Sequence, residues 1–194
     1  MFTVPDDWIP LLNEAAVFAA DGDVKQSERV LAKWRKQLVS TSVRTLLLPA
    51  TAYTATPPEQ LYGSIHFCEQ SLTWQEAHEF VGLGWPNVVP GRTFRLQLIQ
   101  VARDALSIAG MDLLLSSFGL RHAGLREGLI YLSESIDVFG CHSVSFLGSA
   151  RAVRSNMLEV PVMSFDGGLR LLSKRRIDPD DHLSQEVYAV VWRS

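Results

Sequence analysis

Hydrophobic positions recur at helical spacing through the first forty residues. Trp8, Leu11, Leu12, Ala15, Ala16, Phe18 and Ala19 fall three and four apart behind Pro5-Asp6-Asp7, whose carboxylates suit the positive end of a helix dipole. Asp21-Gly22 stops this helix. Asp23, three residues before Gln26, opens a second one along Val24, Val30, Leu31, Trp34 and Leu38. Its outer face is basic (Lys25, Arg29, Lys33, Arg35, Lys36), whereas the first helix carries Asp6, Asp7, Glu14 and Asp21. The spacing predicts a helical hairpin over residues 1–40.

From Val43 the pattern turns toward β-structure. Residues 43–54 lack helical periodicity, Thr56-Pro57-Pro58-Glu59 reads as a turn, and 61–68 reads as a return strand. Thr73, three residues before Glu76, opens a short helix with Trp74, Ala77, Phe80 and Val81 inward. Phe94, Leu98, Val101, Ala102, Ala105, Leu106 and Ala109 then share one helical stripe, which predicts a helix over 93–109 stopped by Gly110.

Met111 to Phe118 is a short apolar run between glycines, suited to a buried strand. Leu125, Leu129, Leu132 and Ile136 give helical spacing over 125–138, and 142–147 is again strand-like. Strand, glycine loop, helix and strand over 111–147 have the size of a βαβ unit, which would make the two strands parallel. Residues 159–165, 169–172 and 187–192 complete the strands, with Asp166-Gly167-Gly168 as a hairpin turn. The expected class is α/β or α+β: a mixed sheet with a βαβ unit (111–147) and an N-terminal helical hairpin. Residues 1–194 read as a single domain, with 1–40 docked on 41–194.

Composition narrows the classes. Of 194 residues, 47% are hydrophobic and 20% charged, with net charge -3, which excludes a disordered chain, a disulfide-dense mini-protein and a generally basic nucleic-acid coat. Two cysteines, Cys68 and Cys141, do not make a disulfide framework. The first residues have neither the basic nor the apolar region of a signal peptide, and no apolar run reaches the roughly 18 residues of a membrane span. A soluble protein of the reducing cytoplasm, without membrane association, is expected.

Candidate chemistry is sparse. His66-Phe67-Cys68 and Cys141-His142 lack the spacing of a zinc framework, so buried thiols with ordinary histidines nearby are expected, with no metal and no cofactor. Gly119 to Gly124 lies between strand and helix, where backbone N–H groups hold phosphates, although it matches neither G-x-G-x-x-G nor the P-loop. Gly148-Ser149-Ala150-Arg151 follows the next strand. In a parallel unit both loops would leave one sheet edge, and Arg121, Arg126, Arg151 and Arg154 would converge on an anionic ligand. Glu127, Glu134 and Asp137 read as a solvated helix face. Six cations between Arg151 and Arg176 face only Glu159 and Asp166, but Asp178, Asp180 and Asp181 follow at once.

Three functions fit these features. A non-catalytic interaction or regulatory protein comes first, with a protein partner held by aromatic and arginine side chains, Trp85, Arg92 and Arg95 among them. A small enzyme or ligand-binding domain using the arginine-bearing loops comes second. A nucleic-acid-binding protein using the second helix or the 151–176 patch is the least favoured.

Overall fold

The computed structural model describes residues 2–40, 50–81, 90–101, 106–134, 143–153, 157–166, 168–178, 182–183 and 187–192. Strand β1 (Phe2–Val4) precedes helices α1 (Ile9–Ala20) and α2 (Val24–Ser40). Strand β2 (Thr51–Ala52), helices α3 (Pro58–Ser64) and α4 (Trp74–Val81), and strands β3 (Thr93–Phe94) and β4 (Leu96–Val101) follow. Next come β5 (Leu106–Ser107), α5 (Ile108–Ser117), β6 (Leu120–His122), α6 (Leu125–Glu134) and β7 (Val144–Ser145). A 3-10 turn over Leu147–Ser149 leads to β8 (Arg151–Ala152), β9 (Leu158–Asp166), β10 (Leu169–Ile177), β11 (His182–Leu183) and β12 (Val187–Trp192). No helix of the described residues is long and apolar enough to cross a membrane.

The N-terminal hairpin forms as its pattern predicts. Gln26 N–H donates to the Asp23 carboxylate at 3.1 Å, capping α2, and Ser27 Oγ donates to the Ala15 carbonyl across the helix pair at 2.9 Å. Trp8 and Trp34 are fully buried and meet edge to face at 5.7 Å, and Trp34 meets Phe118, just past α5, at 6.1 Å. Truncating a buried Trp costs about 3–5 kcal/mol, so these rings anchor the hairpin to α5.

An eight-stranded mixed sheet has the order β1-β4-β12-β7-β9-β10, with β6 on β12 and β8 on β9. Its two faces bury two cores. Leu96 and Leu98 of β4, Met163 of β9 and Leu172 of β10 join Phe80 of α4 and Leu129 of α6. Ile99, Val160 and Ile177, of opposite parity on the same three strands, join Trp8, Leu12, Met111 and Leu114 of α1 and α5. The fold is therefore α+β, with helices on both faces of the sheet.

Several local expectations are corrected. Residues 93–109 are not one helix: β3, β4 and β5 fill the described part up to Ser107, and only Ile108 and Ala109 are helical, as the start of α5. Gly110 is not a helix stop but lies buried inside α5, where an added Cβ would meet the Asn13 side chain at 2.8 Å. The run 111–118 is helix α5 rather than a strand. Residues 61–68 contain the end of α3, and only Phe67 bridges to a strand, at Arg170. Residues 51–52 pair with β3 outside the main sheet, and 43–49 lie outside the described residues. The hairpin after Asp166 forms, with β9 and β10 antiparallel along their full nine-residue lengths.

The strand–helix–strand order survives within 111–147, but its first strand is β6 and its strands are not parallel. β12 pairs β4 along one edge. Along its other edge, β6 runs antiparallel at Val190–Trp192, and β7 runs parallel at Val187 and Tyr188. The two strands thus lie end to end and point toward each other, so their carboxyl ends meet.

Candidate functional site

Opposed strand ends bring the two glycine loops together. Gly148 N–H donates to the Ala123 carbonyl at 3.0 Å, and the Leu125 N–H donates to Ser149 Oγ at 2.8 Å. A Cβ on Gly148 would fall 2.7 Å from the His122 carbonyl oxygen, so only glycine lets the backbones approach this closely.

The amino end of α6 is where an anion would be expected to sit. Two of its donors are already taken. Gly124 N–H donates to the Glu127 carboxylate at 2.6 Å, and Ser149 holds the next N–H. Glu127, three residues into the helix, makes the return half of a capping box, and the second loop contributes the hydroxyl. Glu127 is fully buried, which overturns its reading as part of a solvated face; Glu134 is exposed and bonded by Thr51, and Asp137 lies outside the described residues.

Glu127 is the centre of a network. Arg121 Nη2 approaches its Oε1 at 2.7 Å, and the Tyr53 hydroxyl donates to the same oxygen at 2.8 Å. Arg121 also reaches the Tyr53 oxygen at 3.2 Å and the His122 carbonyl at 3.0 Å. Burial pushes the Glu127 carboxyl up, while Arg121, the Gly124 N–H and Tyr53 pull it back toward ionisation. Burial, then the adjacent Glu127 charge, raises the Tyr53 hydroxyl too, so it remains a proton donor at neutral pH. Tyr53 is fixed by stacking on Phe94 at 4.3 Å and by its N–H bond to the Arg92 carbonyl at 2.8 Å.

The four expected arginines divide. Arg121 serves Glu127, and Arg126 Nη2 contacts the Thr54 carbonyl at 3.5 Å on the same side. Arg151 turns to a different cluster, bonding Glu159 at 2.7 and 3.0 Å, pairing with Glu79 and lying over the Phe80 ring. Glu159 also receives Arg176 at 3.2 Å and has Lys174 at 3.9 Å. Hydrogen bonds from Arg151 first, and then Arg176 and the Lys174 charge, hold its carboxyl below the usual range. It is covered by its own cations rather than by apolar core, so the ionised form keeps the advantage. Arg92 and Arg95 are exposed beside β3, and Arg154 and Trp85 lie outside the described residues.

His122 is held by Asp112, Nε2 to Oδ1 at 2.9 Å, linking β6 to α5. Cys68 is a free thiol near the Ser71 hydroxyl; Cys141 and His142 lie outside the described residues. No group of three His, Cys, Asp or Glu side chains among the described residues is placed to hold a metal ion. No family model, curated protein or solved structure matches the chain.

Proposed function

We propose that this chain is a non-catalytic protein-binding module of the cytoplasm, acting through its folded surface. One observation carries the reading. Two of the cations expected at the strand-end loops are spent on carboxylates of the same chain, Arg121 on Glu127 and Arg151 on Glu159 and Glu79. The α6 amino end, the natural seat for a phosphate, is filled by Glu127 and Ser149. An anionic ligand there would have to displace a buried carboxylate. The free Cys68 thiol fits a reducing compartment.

The test is native mass spectrometry of the protein isolated under gentle conditions from its own source. A stoichiometric protein partner supports the proposal. A stoichiometric small anion, without a protein partner, replaces it with the ligand-binding reading.

A further inference from the structure

The outward backbone groups of β10 alternate, and the chain itself occupies the first of them. Cys68 N–H donates to the Arg170 carbonyl and Leu72 N–H to the Leu172 carbonyl, each at 2.7 Å, while Leu172 N–H donates to Ser71 Oγ at 3.1 Å. The same alternation turns the N–H and C=O groups of Lys174 and Arg176 outward. Among the described residues nothing bonds them, although β9 completes the inner side of the strand throughout. Half of a nine-residue edge strand is therefore capped and half is open.

We propose that the outer edge of β10 over residues 173–177 accepts an extended acidic segment of a partner protein as an added strand. The inference rests on the protein-binding reading above and names its surface. Main-chain pairing supplies the register, since strand addition completes exposed N–H and C=O rows. Charge selects the occupant. Lys174, Arg175 and Arg176 are consecutive, so their side chains alternate between the two faces of the strand and flank whatever pairs there. Arg176 is 70% exposed even while it touches Glu159. Lys174 and Arg176 share the single Glu159 carboxylate with Arg151, so this edge keeps an excess of positive charge that repels the same edge of a second copy and attracts carboxylates.

The probe is a blocked peptide alternating Glu and Val, with its Lys-for-Glu counterpart as control. With the Glu peptide at saturation, amide exchange at Lys174 and Arg176 is expected to slow about tenfold or more, while the Lys peptide changes nothing. The inward N–H groups of 173, 175 and 177 report whether the ladder to β9 remains intact. Arg176→Gln keeps the outward N–H, whereas Arg176→Pro removes it at an edge position that tolerates proline. Arg176→Pro is expected to bind several-fold more weakly than Arg176→Gln.

Unchanged exchange at millimolar Glu peptide overturns the proposal. So does equal binding by the two variants, which would reduce the effect to charge alone. Protection that grows with protein concentration in the absence of peptide assigns the edge to a second copy, and likewise overturns it. If the native partner binds without protecting Lys174 and Arg176, this inference falls while the protein-binding reading stands.

Discussion

Replacing Arg121 with Met removes the guanidinium from Glu127 and leaves most of the side-chain volume. Breaking a buried ion pair from one side costs about 3–5 kcal/mol, because the remaining charge is stranded. Two features lower that figure here. Arg121 is 31% exposed, so solvent already screens part of the attraction. Glu127 also keeps the Gly124 N–H and the Tyr53 hydroxyl. We expect a loss of about 2–3 kcal/mol at pH 7 in urea unfolding followed by tryptophan fluorescence.

The pH dependence identifies the cause. Arg121 lowers the Glu127 pKa, so its removal raises further a value that burial already lifts. A carboxyl with a raised folded-state pKa contributes its stability below the unfolded value, about 4.3, and loses it as pH rises through the folded value. The deficit of Arg121→Met should therefore be smaller at pH 4.5 than at pH 7, since Glu127 takes up its proton above the ordinary carboxyl range. A loss below about 1 kcal/mol at pH 7 would refute the buried-pair reasoning. An equal deficit at both pH values would refute the role assigned to Glu127.

Gly148→Ala places a Cβ within 2.8 Å of backbone atoms of His122 and Ala123, which cannot swing aside. It should cost about 1–3 kcal/mol in thermal unfolding, and a neutral effect would deny the close crossing of the loops. Glu159→Gln removes a carboxylate whose folded-state pKa is shifted the other way from that of Glu127. The Glu159 folded-state pKa is lowered, so its contribution is present above the unfolded value and disappears as pH falls through the folded one. The variant should be less stable than the parent at pH 7 and converge on it in acid titration; parallel curves would remove the three-cation cluster as the cause.

The hairpin, the helix over 125–134 and the β9–β10 turn were legible because one face or one turn residue dominates each of them. Strand β4 was not. It is an interior strand with Leu96 and Leu98 in one core and Gln97 and Ile99 buried on the other face, so its residues lack a two-residue period. The helical stripe through Phe94, Leu98 and Val101 is what such a run offers by coincidence. The run over α5 reads as a strand because short apolar runs carry no decisive period. Its signal was Ser107, whose hydroxyl accepts the Gly110 N–H at 3.0 Å as an N-cap. Pro58 in the first turn of α3 marked a helix start in the same way.

Their glycines mark the arginine loops in the sequence, but the parallel geometry expected of them is not adopted. Opposed strands sharing the edge of β12 bring them together instead. Their occupant was missed. Gly124 followed three residues later by Glu127 has the spacing of a capping box with its hydroxyl absent, and that hydroxyl comes from Ser149, twenty-four residues from the N–H it caps. No local pattern contains such a pairing.

As proposed, this charge network supports the fold while the outer surface binds a protein. Arg121→Met combined with Glu127→Gln tests that division directly, since glutamine keeps an acceptor for Gly124 and Tyr53 and no charge is stranded. Native mass spectrometry of the double variant with its isolated partner should find the same fraction of chains in complex as for the parent. A folded double variant that loses its partner would place the binding site at Arg121 and Glu127 and contradict the account.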